Sequence, residues 1–192
     1  MKSSTEILTT YLGDMLAAQN HLLQMVQQQM EDTRVMTYAD MQEILPQIKS
    51  SLGRHNVALE QRIGALGGSV RADLKEALTV ATGFAAGIFG RLRPHSASKA
   101  LRDDYILLSA CSMGYEMLHA TALALGDPVT AELALGQFKE LTPMIVRLSE
   151  IVPGIIVQEL THDVPGVDAA AAPLARQNTQ RAWSGEHVHG NR

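Results

Sequence analysis

The chain has 192 residues, 46% of them apolar and 19% charged, enough for one full-sized core. Its 16 basic and 20 acidic residues are spread out and sum to −4, which leaves no basic footprint and excludes a nucleic-acid duplex as partner. Only 4% of residues are aromatic, nine are Met and many are Ala or Leu, so the expected class is all-α. A single cysteine, Cys111, cannot form an internal disulfide, and MKSSTEILTT lacks the charged-then-apolar layout of a secretory leader. The expected compartment is the cytoplasm.

The first predicted helix runs from about Ser4 to Glu31, capped by Ser3 or Ser4. Leu8, Leu12, Met15, Leu22 and Val26 form its apolar stripe, and Gln19 falls on the same line. After a break at Asp32-Thr33-Arg34, a second helix is expected from Tyr38, behind a Thr37 cap, to Leu66, where Gly67-Gly68 stops it. Its stripe is Met41, Leu45, Ile48, Leu52, Leu59, Ile63 and Leu66. Pro46 removes a backbone donor inside that pattern and is expected to kink or split the helix.

Residues 69 to 99 read as a crossover holding one shorter helix, Asp73 to about Phe89. Within it, ALTVATGFAAGIFG spans residues 77 to 90, too short for the roughly 20 residues of a bilayer span. Gly83 and Gly87 give it GxxxG spacing, a motif that is specific only inside a true span, so the segment reads as buried or interfacial and no membrane partner is expected.

A third helix is expected from Ser98 to Leu125, with Leu101, Tyr105, Leu108, Tyr115, Leu118, Ala122 and Leu125 inward, ended by Gly126-Asp127-Pro128. A fourth is expected from Val129 to Val152, with Leu133, Leu141, Met144, Leu148 and Val152 inward, an irregularity at Pro143 and a stop at Pro153-Gly154. Short turns within each pair and a long connection between the pairs describe two helical hairpins joined by a crossover. That is the ferritin-like version of a four-helix bundle, over residues 1 to 160. Residues 161 to 192 show no sustained apolar period and are expected to form an extended C-terminal tail. Trp183, the only tryptophan, is its expected anchor, on the chain's own bundle or on a neighbouring subunit, with an assembly role.

Three stretches carry a resemblance: DMLAAQNHLL (14 to 23), LEQRIGALGGSVRADLK (59 to 75) and YEMLHATALALGD (115 to 127). Over roughly residues 5 to 160 the chain resembles the YciE/YciF-type ferritin-like proteins, small bacterial four-helix proteins associated with stress responses. The resemblance implies a dinuclear iron or manganese site, built from a Glu on each of two helices and Glu-x-x-His motifs on the other two. At the implied positions this chain departs from the pattern. Gln19 stands where the family shows its helix-one glutamate, and Ser50-Ser51-Leu52 with His55 where the family has Glu-Glu-Thr and then His or Gln. In helix three the carboxylate positions fall on Leu108 and Cys111, with Tyr115 retained, and in helix four only Glu140 survives.

One core carboxylate cannot balance two divalent cations, so Gln19, Ser51, His55, Cys111 and Glu140 read as the positions of a lost site, with no cofactor and no catalytic residue. The alternative is an iron- or manganese-binding stress protein with an unusual site on Gln19, His55 and Glu140. Gln19 is expected to satisfy its amide through His55 or a buried water. His21 and His119 read as solvent-facing or hydrogen-bonded. Met15, Met25, Met41, Met113, Met117 and Met144 read as packing rather than haem or copper ligands, and Cys111 as an inert buried thiol. EHVHGNR, with its His-x-His pair, reads as flexible tail. The expectation from sequence is a non-catalytic structural or self-assembling protein, a homo-oligomer.

Overall fold

A computed structural model of the chain describes residues 2–68 and 97–185, which hold five helices and no strand. The crossover helix expected at 73–89, the apolar run at 77–90 and the EHVHGNR segment lie outside the described residues.

Helix α1 covers Ser4–Glu31. A reciprocal capping box fixes its start: Ser3 Oγ accepts from Glu6 N at 3.2 Å, and Glu6 Oε2 accepts from Ser3 N at 2.6 Å. Helix α2 covers Ala39–Ala65. Its N-cap is Tyr38 and not Thr37, whose hydroxyl donates back to Thr33 O at 2.8 Å and so is taken up by the preceding turn. Pro46 does not split α2. A proline inside a helix costs about 3 kcal/mol. Ile44, Leu45 and Ile48 around it are all buried, each worth about 1.5–3 kcal/mol, and that outweighs the lost hydrogen bond.

Helix α3 covers Ala97–Ala124 and helix α4 Pro128–Asp163. Gly126, at φ 72°, lets the chain turn back so that Asp127 N reaches Ala122 O at 2.9 Å, and Asp127 then caps α4 by accepting from Thr130 N at 3.0 Å. The stop expected at Pro153-Gly154 does not occur: α4 continues for 36 residues through both Pro143 and Pro153. Ile151 and Ile155 flank Pro153 and are fully buried, so ending the helix there would uncover core. The helix ends instead just before Val164-Pro165, where the pre-proline residue is extended.

The boundary expected at 160/161 therefore falls inside α4, and the following chain is not wholly extended, because Ala171–Trp183 form helix α5. Its face, polar by composition, gains a hydrogen bond from Arg176 Nε to Glu150 O at 2.8 Å on α4.

The four long helices share one core, with Leu12, Leu22, Leu45, Leu52, Leu108 and Leu148 among its members. Cross-links between helices give the directions. Asn56 meets Asn20, Gln29 meets Asp104, Arg62 meets Asp127, and Ser98 meets Glu159. Each neighbouring pair, α1/α2, α1/α3, α2/α4 and α3/α4, is thus antiparallel. The diagonal helices α2 and α3 run parallel, and α2 ends beside the start of α4 while α3 begins at the opposite end.

Candidate functional site

Midway along the bundle each long helix contributes one polar residue to a continuous line. From α1, Gln19 is fully buried and its Nε2 donates to Tyr115 Oη on α3. The Tyr115 ring stands edge-on to His55 of α2, with centroids 6.1 Å apart and planes at 88°. His55 Nε2 donates to Glu140 Oε2 of α4 at 3.1 Å. The structure thus brings together Gln19, His55 and Glu140, but through Tyr115. The Gln19 amide nitrogen meets not His55, one partner the sequence suggests, but the Tyr115 hydroxyl, which reaches the bundle centre from the opposite helix.

Ser51 and Cys111 lie one turn away from His55 and Tyr115. Ser51 Oγ accepts from Arg54 at 2.9 Å, and the same guanidinium reaches Glu140 Oε2 at 3.0 Å. Glu140 is 49% exposed and sits at the rim. Burial favours its protonated form, but hydrogen bonds from Arg54 and His55 outweigh this and hold its carboxyl below the usual range. His55 is pushed below the ordinary histidine value by burial, against the pull of Glu140, so it is neutral near pH 7. Burial pushes the Cys111 thiol up to about 12 and the Tyr115 phenol well above its ordinary value. Both stay protonated, and a thiol in that state is neither nucleophile nor metal ligand.

A dinuclear iron or manganese site does not fit these residues. Its centre would be lined by an amide, a phenol, a protonated thiol and Leu108, and the one nearby carboxylate is already neutralised by Arg54. Among the described residues no three His, Cys, Asp or Glu side chains cluster as metal ligands. Three buried acceptors around the line, Gln19 Oε1, His55 Nδ1 and Gln137 Oε1, have no partner among the described residues, so the cluster has acceptor capacity without charge.

His119 Nδ1 contacts Ala131 O at 2.8 Å across α3 and α4, and His21 is half-buried on α1. Met15 and Met41 are core residues, and Met25 and Met144 pack against it. Met113 and Met117 do not: they are 58% and 49% exposed on α3. Their spacing is helical but their direction is outward. Trp183, 56% exposed, closes a cleft of about 170 Å³ between α4 and α5 that Val146, Glu150, Arg176 and Gln180 also line.

A second buried polar pair is not among the residues that the sequence singles out. Asp104 of α3 is fully buried, and its Oδ1 accepts from Gln29 Nε2 of α1 at 3.0 Å while Oδ2 has no partner among the described residues. Burial, with a contribution from Asp103, pushes its carboxyl up from 3.8 to about 7. A signal for it exists, since Asp104 lies between Leu101 and Leu108 on the inward stripe. The turn between α3 and α4 is also clamped: Arg62 Nε donates to Thr130 Oγ1 at 2.7 Å and its Nη2 to Asp127. No helix among the described residues is long and apolar enough to cross a membrane. No family model, curated protein or solved structure matches the chain.

Proposed function

We propose that this is a ferritin-like four-helix protein of the YciE/YciF type whose dinuclear metal position has become a neutral hydrogen-bonded cluster, and that it works as a non-catalytic, self-assembling structural component. The observation that carries the reading is the buried Gln19–Tyr115 pair at the level where all four helices meet. An amide and a phenol there fix the register of α1 against α3, because sliding either helix leaves two buried polar groups unpaired, at about 1–3 kcal/mol each. They offer a cation no charge.

Elemental analysis of protein purified without chelator tests this directly. The expected result is no stoichiometric iron or manganese, and no uptake of either on incubation in excess. Stoichiometric metal with ferroxidase or peroxide-consuming activity would overturn the reading in favour of a metal-binding stress protein using Gln19, His55 and Glu140. Arg54 stands against that second reading, since a cation at Glu140 would have to displace it.

A further inference from the structure

Helix α3 is apolar on both sides. Its inward face carries Leu101, Leu108, Cys111, Tyr115, Leu118 and Ala122. On the opposite face lie Ile106, Ala110, Met113, Met117, Ala120 and Ala124, of which all but the half-buried Ile106 are exposed. Between Asp104 and Asp127 the only charged residue is Glu116. A helix that is hydrophobic all round is normally covered all round, and among the described residues nothing covers this face.

We propose that the outward face of α3, from Ile106 to Ala124, pairs antiparallel with the same face of a second copy of the chain. The proposal rests on the self-assembly part of the function above and names its surface. The argument is one of symmetry. The outward residues sit in pairs at equal distances on either side of Tyr115: Met113 with Met117, Ala110 with Ala120, Ile106 with Ala124. A two-fold axis at that point therefore lays methionine on methionine at the centre and alanine on alanine on either side, which is the self-complementarity an isologous contact requires. The spacing of four, three, four, three and four residues keeps the seam straight along about 27 Å of helix. Small side chains at Ala110, Ala120 and Ala124 let the two backbones approach, while the flexible methionines fill the centre.

A single helix face of this length lies at the small end of specific interfaces, below about 1,200 Å² in total, so the pair dissociates on dilution.

Light scattering after size exclusion, on the full chain and over a dilution series starting near saturation, tests the proposal. The expected result is a dimer at high load for the wild type and for Leu174→Glu, which alters an exposed residue of α5. Met117→Glu is expected to be a monomer at every load, with unchanged helicity by circular dichroism. In a second measurement Met117→Cys, a mild change, is treated with a short bis-maleimide; a cross-linked dimer is expected, and none from Lys139→Cys on α4. The buried, protonated Cys111 does not compete. If Met117→Glu remains dimeric and Met117→Cys does not cross-link, this surface is wrong while self-association stands. A wild type monomeric at the highest load overturns both. Slow maleimide modification of the thiol that Met117→Cys introduces, in such a monomer, would show that the chain's own 69–96 segment covers the face instead.

Discussion

Replacing Asp104 by Asn should change how stability depends on pH. The carboxyl is fully buried, titrates at about 7 when folded and has an ordinary value of 3.8. Below the ordinary value both folded and unfolded chains hold the proton and the group contributes nothing to the pH dependence. As pH rises above it, the unfolded chain releases the proton while the folded chain keeps it, so stability falls until the folded group also ionises. At 1.36 kcal/mol for each pH unit across that window, the loss reaches roughly 2 kcal/mol by about pH 5 and roughly 4 kcal/mol by about pH 8. For a chain of this length the part lost between those two conditions lowers Tm by roughly 5–10 °C. Asp104→Asn keeps the acceptor for Gln29 Nε2 but replaces the single O–H of the protonated acid with an NH2, one more buried donor to satisfy, a cost of about 1–2 kcal/mol at every pH. The variant should therefore be less stable than the wild type in acid, about equal to it near pH 5 and clearly more stable near pH 8. Thermal unfolding followed by circular dichroism at several pH values measures the crossing. Groups such as His55 and Asp127 titrate equally in both proteins and cancel in the difference. Parallel curves for the two proteins would refute the reasoning, because they would mean that Asp104 releases its proton at its ordinary value in the folded chain as well.

Three further outcomes are expected. Gln19→Leu and Tyr115→Phe should each cost about 1–3 kcal/mol by leaving a buried polar group alone, whereas the double variant should cost clearly less than their sum; an additive pair in denaturant unfolding would mean the two side chains do not interact. Gly114→Ala drives a methyl group into Met15 Sδ, so it should destabilise the wild type despite its better helix propensity, yet stabilise a Met15→Ala background by up to about 1 kcal/mol; equal effects in both backgrounds would rule out the close approach. Arg62→Ala should lower stability by about 1–2 kcal/mol at neutral pH. Burial raises the Asp127 carboxyl, but its bonds to Thr130 and Arg62 outweigh that and hold it low, so the stability Asp127 gives is present above its ordinary value and lost as pH falls below it. The Arg62→Ala variant should accordingly lose less stability on acidification than the wild type, as read by the same thermal scans.

The parts of the fold that follow from local chemistry are legible in the sequence. Ser3 and Glu6, Gly67, and Gly126-Asp127-Pro128 mark helix ends because the groups that satisfy a helix terminus lie within a few residues of it. Pro46 and Pro153 mislead for the opposite reason: their local cost is offset by burial of Ile44, Ile48, Ile151 and Ile155, and burial is decided by partners far away in the chain. Helix α5 is hidden because its sequence has no apolar stripe, and much of what holds it is a backbone carbonyl of α4, which no residue code records. At the site, the four positions can be named from sequence but their connections cannot. Tyr115 stands out there only as a retained residue, yet it is the one through which Gln19 and His55 are linked. Asp104 reads as one of two adjacent acids; its spacing from Leu101 and Leu108 points it inward, but its partner Gln29 comes only from the packing of α1 on α3.

The two hairpins of this molecule meet along seams of different chemistry. Where α1 meets α3, the bridging groups are neutral dipoles or a protonated acid, Gln19 with Tyr115 and Gln29 with Asp104. Where α2 meets α4, they are ions, mostly exposed: Arg54 with Glu140 and Arg147 with Asp40 and Glu43, with only Arg62 and Asp127 shielded at one end. Dissolved salt discriminates between them. It screens exposed ion pairs over a Debye length of about 8–10 Å and leaves buried dipoles almost untouched. Raising ionic strength should thus loosen one side of the four-helix stack ahead of the other, and the protein would open like a book, with α1 and α3 as its spine.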